Sequence, residues 1–458
     1  MPTLAVIGGG LSGITAALSA ARKGLQVSLF ERTKVLGGRV ASMYEPKSGQ
    51  WIDNGQHLLL GCCTELLALH QQLGLNEFFE HKTAIPFADI SGKRWSFAPS
   101  PLLPGSLRYL PALFKNPFLT FREKIQMVLL LRQLSQAVQK TDGLNKNGLN
   151  KIFASLILSA LSETPENVAP EALQCIVQKL FFEGKDAAGV YIPKVPLRNI
   201  YNDAAAKKLK EKGVELNFLQ RVERFNTETM DGTSSVANIQ FTNGSQRSFD
   251  YYIAAVPSFR FGQLADASEM DEAFVNSLAL DQFEPGAVTT VHLWFDQPLP
   301  LNGQSFFALL GGPGQFIFEE AGSPFYYTVV ISASHRLLSD NELTAKGALP
   351  LVERVTEQLR RTFPQKSGGQ ILPANVKHYR VTTYFDAVFS PSPAVYAHRP
   401  SAATPYSNLF LAGDWIQTGF PSTMEGAVRS GLNAVEQIQT GTVTDSTRRS
   451  TTASTACR

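Results

Sequence analysis

Gly8, Gly10 and Gly13 fall at the spacing GxGxxG directly after the apolar run Leu4, Ala5, Val6, Ile7. That spacing serves a tight turn, close approach of backbone to a pyrophosphate, and close packing of a helix on a sheet. Leu11 and Ser12 lead into an Ala-rich helix expected over residues 14–22. Its unpaired N–H groups and positive dipole end favour an anion. Residues 27–31 read as a second strand, closed by Glu31 and followed by Arg32. An acid at that distance accepts a hydrogen bond from a ribose hydroxyl and disfavours the extra phosphate of NADP. Three glycines alone suit a plain turn equally well. The strand before them, the helix after them and the acid beyond point to a bound dinucleotide.

Gly37, Gly38 and Arg39 follow, and at the far end an apolar run ends in Gly413 and Asp414, with a helix expected to open near Thr423 and Met424. The two ends together resemble the amine oxidase and phytoene desaturase superfamily of flavoproteins. The resemblance implies noncovalently held FAD, with Arg32 and Arg39 on its nucleotide side and Arg39 as the cationic partner of the pyrophosphate. It implies further that the backbone of Val222 meets the adenine and that Asp414 bonds the ribityl chain. The first helical turn at Thr423 and Met424 would face the pyrimidine end of the flavin. Reduced flavin is anionic around N1 and O2, and a helix N-terminus stabilises that charge.

Asp53, Asn54, Gly55, Gln56 and His57 form a polar cluster after Trp51 and Ile52. Asn54 and Gly55 by themselves signal a hairpin turn. In the resembled superfamily an Asp and Gly pair, here Asp53 with Asn54 and Gly55, passes close to the isoalloxazine ring. The full run DNGQH resembles the hydroxysqualene dehydroxylase family of bacterial hopanoid synthesis, a likeness spanning roughly residues 3–438. That likeness implies loss of an allylic hydroxyl as water and delivery of hydride from reduced FAD, giving squalene. An apolar pocket would keep water from recapturing the allylic cation. Asp53, His57 and Glu425 are the candidate catalytic groups nearest the flavin by motif, and each reads equally well as a structural residue. Two other readings stay open: a carotenoid-type desaturase running the hydride the other way, and a flavin-binding protein without catalysis.

The elements that must position these residues imply an α/β fold, a Rossmann-like FAD-binding domain interleaved with an α+β substrate domain. Residues 1–96, 197–260 and 386–440 are assigned to the first, residues 97–196 as a helical cap and 261–385 as an antiparallel sheet to the second. A chain of 458 residues exceeds one ordinary core, and 44% hydrophobic residues support a large interior. A formal net charge of +3 argues against a nucleic-acid partner. The first strand begins too close to Met1 to leave room for a secretory leader, and no run of eighteen apolar residues suggests a spanning helix. Four cysteines make no CxxC, so no metal site is indicated and a reducing, cytoplasmic compartment is expected.

Prolines 99, 101, 104, 111 and 117 lie among Leu102, Leu103, Leu107, Leu110, Phe114 and the basic residues Arg108, Lys115 and Arg122. This segment suits either contact with the inner face of a membrane, through which a lipophilic polyprenyl substrate would enter, or a proline-rich connection packed on the protein. Residues 121–140 read as an amphipathic helix with Ile125 and Val128 facing the core, 142–150 as a polar loop, and 152–161 and 171–182 as further helices. Thr164 and Pro165 suit an N-cap and first helical position. Ser162 stands where the resembled family carries an Asn. Val288, Thr290, His292 and Trp294 alternate with Val291, Leu293 and Phe295 as in a strand. Phe306, Phe307, Phe316, Phe318, Tyr326 and Tyr384 line a pocket or fill the core. Residues 441–458, poor in apolar side chains, are expected to be disordered.

Overall fold

The computed structural model describes residues 1–440 except 136–157, 185, 321–322, 324, 345–346, 365, 368–369 and 372–373. The expected loop at 142–150, most of the helix at 152–161 and the tail at 441–458 lie outside the described residues.

Five parallel strands make one sheet, in the order Glu215–Phe218, Gln26–Glu31, Thr3–Ile7, Tyr251–Ala254 and Leu409–Leu411. Leu4, Val6, Leu29, Ile253 and Leu411 have no accessible surface, as expected where both faces of a parallel sheet are covered. Only one strand separates the central Thr3–Ile7 from the edge strand Leu409–Leu411, so segments some four hundred residues apart come close together in the sheet. Helices Leu11–Arg22 and Met424–Thr440, which follow those two strands, pack against each other.

A second sheet runs in the order Val376–Phe389, Pro285–Phe295, Tyr326–Ile331, Phe316–Glu319, Phe306–Leu310, Ile85–Asp89 and Arg94–Phe97. Its neighbours are antiparallel apart from Phe306–Leu310 beside Ile85–Asp89. That last hairpin corrects the sequence reading, which placed residues 85–96 with the nucleotide-binding segment. The period-2 alternation separates the two faces. Val291, Leu293, Phe307, Ile317 and Val329 pack with Leu351, Val355 and Leu359 of helix Ala348–Thr362. The opposite face carries Phe306, Phe316 and Phe318, whose rings stack at 5.9 to 6.5 Å, and these pack with Tyr109, Leu113, Leu173 and Val177 of the helical segment. Phe307 therefore belongs to the other face from its neighbour Phe306.

The helical segment departs from its sequence pattern in two places. Helix Phe121–Ser135 leaves Ile125 exposed and buries Met127 instead. The later helix, Pro170–Phe182, lies where 171–182 was expected, but Thr164 and Pro165 open no helix: Thr164 closes a turn through its carbonyl, which accepts from Asn167 N at 3.0 Å. Pro170 at the first helical position lacks only an N–H that would have had no helical partner.

Candidate FAD and substrate site

The glycine turn is packed where two of its glycines sit and open at the third. A Cβ on Gly8 would come within 2.3 Å of the Ala255 carbonyl oxygen, and one on Gly13 within 1.9 Å of the Gly8 oxygen, whereas one on Gly10 would meet nothing within 4 Å. Gly8 and Gly13 thus allow strand and helix to approach, and Gly10 borders free space at the helix N-terminus. No side chain caps that helix, which leaves the N–H groups beyond Gly10 for an anion. Glu31 Oε2 accepts from Gly9 N and Oε1 from Thr33 N, both at 2.8 Å. The acid therefore shapes the turn itself, and each oxygen retains a lone pair for a hydroxyl donor. Gly37 N donates to Gly9 O at 2.8 Å, closing the second glycine pair over the first.

Across the sheet edge Arg39 Nη2 bonds Asp414 Oδ1 at 2.5 Å, and Ser422 Oγ donates to the other oxygen of the same carboxylate. Burial acts to raise the Asp414 pKa, but Arg39 and Ser422 outweigh it and hold the carboxyl below its ordinary range. Arg399, which no motif signalled, is buried and donates to the carbonyls of Asp414, Trp415, Ile416 and Phe420, tying down the loop between Asp414 and the final helix. Gly413 N is held by Ser430 Oγ at 2.8 Å. Thr423 Oγ1 accepts from Gly426 N at 3.1 Å and so caps the helix that Met424 opens. Val222 is buried at the start of strand Val222–Met230, its carbonyl accepting from Arg260, while Gln220 N bonds Glu31 O. Arg32 is exposed. The open space at Gly10, the uncapped helix and the Arg39–Asp414 pair at the rim together fit a dinucleotide with a flavin end.

The DNGQH run is not a hairpin turn. It leaves the hairpin Ser42–Glu45 and Gln50–Asp53 and crosses to the face of the antiparallel sheet that carries Thr290 and His292. Asn54 is the crossing point: its oxygen Oδ1 accepts from Tyr384 at 2.6 Å, its carbonyl from Thr290 Oγ1 at 3.0 Å, and its amide leans toward Arg39 O at 3.4 Å. A Cβ on Gly55 would press to 3.2 Å from Thr290 Oγ1. Gln56 Nε2 reaches both oxygens of Glu320, at 2.7 and 2.8 Å, and Glu320 also accepts from Thr328 Oγ1 at 2.6 Å. Arg39, His57 and Glu320 keep some accessible surface although protein atoms desolvate them, as side chains lining an internal cleft do.

The three candidate catalytic residues fare differently. Glu425 turns away to the N-terminus of helix Thr64–Leu73, accepting from Glu65 N and Leu66 N at 3.1 and 2.8 Å, and pairs with Arg429. These bonds make it a helix cap. Asp53 accepts from Ser42 Oγ at 2.5 Å and Leu197 N at 3.0 Å, while burial and the neighbouring Glu320 push its pKa up to about 7. Burial pushes that of His57 down to about 4, leaving a neutral imidazole. Sequence reading missed Glu320: it lies in FIFEE, where two adjacent acids at a strand end look like a solvated pair.

A family model described as flavin containing amine oxidoreductase matches residues 11–439. The hydroxysqualene dehydroxylase of Zymomonas mobilis is 25% identical over 442 residues, covering 94% of this chain and 97% of that protein. The 15-cis-phytoene desaturase of Narcissus pseudonarcissus is 24% identical over 465 residues, covering 94% of this chain and 78% of that one. Among solved structures, an oxidoreductase from Methanosarcina mazei superposes with a TM-score of 0.70 at 18% identity, covering 95% of this chain and all of that one.

Proposed function

Since the chain belongs to the flavin-containing amine oxidoreductases and is an FAD-dependent oxidoreductase holding its cofactor noncovalently, we propose that it removes the hydroxyl of hydroxysqualene to give squalene. The reading is carried by its likeness, along nearly the whole of both chains, to a hydroxysqualene dehydroxylase. The cleft supports it. One face of the antiparallel sheet sets the polar residues Glu320, Thr328 and His292 beside the stacked rings of Phe306, Phe316 and Phe318, and Thr328 pairs across strands with Phe318. A long polyene ending in one hydroxyl has the same distribution of polarity.

In this reading residues 1–84, 197–260 and 386–440 hold FAD, which supplies hydride when reduced. The glycine turn and Arg39 bind the pyrophosphate, Glu31 the ribose, Val222 the adenine, and Asp414 the ribityl chain. The helix opened by Thr423 and Met424 faces the pyrimidine end. The phenylalanine wall excludes water from the carbon that loses its oxygen, so hydride and not hydroxide arrives there. Reduced, FAD-loaded protein given hydroxysqualene without oxygen should release squalene and return the flavin to its oxidised spectrum. Flavin that stays reduced rejects the substrate. The phytoene desaturase likeness favours a second reading, in which oxidised FAD takes hydride from a polyene. Added conjugation in the product, seen by its absorbance, would select it.

Among the described residues no helix is long and apolar enough to cross a membrane. We place the protein in the cytoplasm against the inner face of the membrane, through the segment that follows strand Arg94–Phe97. Leu102, Leu103, Leu107, Phe114 and Phe121 are exposed there beside Lys115 and Arg122, while Leu113 and Leu119 hold the segment to the body. A basic residue near an anionic surface contributes about 1 kcal/mol. Changing Leu103 and Phe114 together to Asp should release the protein from anionic liposomes with its flavin spectrum intact. Unchanged sedimentation would move the contact elsewhere.

A further inference from the structure

We propose that Glu320 is the acid that protonates the departing hydroxyl, an inference that rests on the dehydroxylation read above. Glu320 lies just past strand Phe316–Glu319, on the cleft face of the antiparallel sheet, and forms no ion pair among the described residues. Its hydrogen-bond partners come from two directions: Gln56 from the DNGQH loop and Thr328 from strand Tyr326–Ile331. Those bonds fix the carboxyl in the cleft while leaving Oε2, among the described residues, bonded only to the Gln56 amide.

A second observation indicates that a proton belongs here. Gln56 Oε1 is buried without a donor among the described residues, although the same side chain offers its one NH2 to both oxygens of Glu320. A buried carbonyl oxygen left unpaired costs about 1–3 kcal/mol. If Glu320 carries a proton, the amide can turn and accept it, since the orientation of a Gln amide follows its hydrogen-bond network. The charges around Glu320 agree. Asp53 faces it from strand Gln50–Asp53, Tyr326 and Thr328 face it from the neighbouring strand, and Glu45 lies behind. His292 backs Tyr326 through a 2.8 Å bond to its hydroxyl and is held neutral by burial, so it adds no positive charge. Burial raises the Glu320 pKa against the opposing hydrogen bonds from Thr328 and Gln56, and among the described residues no facing cation adds to that opposition.

The proton moves from Glu320 to the hydroxyl oxygen, the carbon–oxygen bond breaks with its electron pair on oxygen, and water leaves. Reduced FAD, when bound, would supply the hydride that fills the allylic carbon. The alcohol, one proton and anionic reduced flavin would give hydrocarbon, water and oxidised flavin, and Glu320, left ionised, takes its next proton from solvent before the following turnover. Asp53 is a weaker candidate because Ser42 and Leu197 already fix its Oδ1, and Glu425 caps a helix. Thr328 and Gln56 are positioning residues for Glu320.

The test uses the full FAD-loaded chain as parent, Glu320→Gln and Glu320→Asp. Glu320→Gln should keep the flavin spectrum and lose turnover by roughly 10²–10⁴-fold, the usual contribution of a general acid. Parent turnover should fall as pH rises and Glu320 loses its proton. The residual rate of Glu320→Gln should lack that limb, and Glu320→Asp should recover part of the rate. Independently of turnover, the infrared spectrum of the parent at neutral pH should contain a protonated-carboxyl band that Glu320→Gln removes. A variant that retains parent turnover with the same pH limb, or an infrared band unchanged by the substitution, overturns the assignment. If the parent itself does not convert hydroxysqualene, the substrate reading falls, and the infrared band still decides whether Glu320 stores a proton.

Discussion

The dinucleotide cradle and the polar end of the cleft treat charge in opposite ways. In the cradle charges are kept and paired: Arg39 sits on Asp414, whose carboxyl stays below its ordinary pKa, and Glu31 is held by two backbone N–H groups. In the cleft the acids are buried with no cation beside them among the described residues, so Asp53 and Glu320 shift upward, and the imidazoles of His57 and His292 shift downward. Both results follow from desolvation, which favours the neutral form unless an opposite charge or a set of hydrogen bonds compensates. A surface that holds an anionic cofactor needs fixed charge. In the reading proposed above, a surface that handles protons beside a polyene rests with neutral acids, which hold a proton in an apolar wall without placing charge there until they give it up.

The largest effect that tests this contrast is expected at the glycines. Gly13→Ala would force a methyl to 1.9 Å from a backbone oxygen, and because overpacking costs typically about 1–3 kcal/mol, both thermal stability and FAD binding should fall. Gly10→Ala has open space and should melt like the parent, yet its methyl would stand where the pyrophosphate approaches, so the protein should purify colourless. A yellow Gly10→Ala variant with parental affinity would break the cradle half of the comparison. Glu31→Ala removes two charge-assisted bonds to the turn as well as the ribose acceptor. FAD affinity measured by fluorescence quenching should drop roughly ten- to a hundredfold, equivalent to about 1.5–3 kcal/mol.

The smallest effect sharpens the cleft half. His292 has no accessible surface, and burial pulls its pKa from 6.5 down to about 3. Below pH 6.5 the unfolded chain therefore takes up a proton that the folded protein refuses, and stability falls as pH drops toward 3. Between pH 7.5 and 5.5 this group should remove about 1.4 kcal/mol. Urea unfolding of the parent and of His292→Gln at both pH values should show a pH dependence smaller by that amount in the variant. Equal pH dependence would mean that His292 is protonated in the folded protein.

The cradle was legible because its parts are local. Strand, turn, helix and acid occupy residues 3–31 in sequence order, and a glycine spacing encodes a backbone geometry directly. The strand Pro285–Phe295 was legible from its alternation. The helix Pro170–Phe182 was legible to within one residue, whereas Thr164 and Pro165 satisfy the same local rule without opening a helix, and packing of Ala169 and Ala172 in the apolar core decides between the two. Glu425 carried the signature of a flavin-facing first turn, but its side chain found the N-terminus of another helix.

What the sequence determined by itself was the cofactor class, the presence of a parallel sheet that carries it and that of a second, antiparallel sheet, since each is signalled by short local patterns: a glycine turn between strand and helix at one end, Gly413 and Asp414 at the other, and an alternation between them. Only the tertiary structure decided that Asp53, Gln56, His292, Glu320, Tyr326 and Thr328 share one face. The reason is physical. A titratable side chain acquires its character from the dielectric and the charges around it, and those neighbours arrive from segments more than two hundred residues apart, whose meeting no local spacing records.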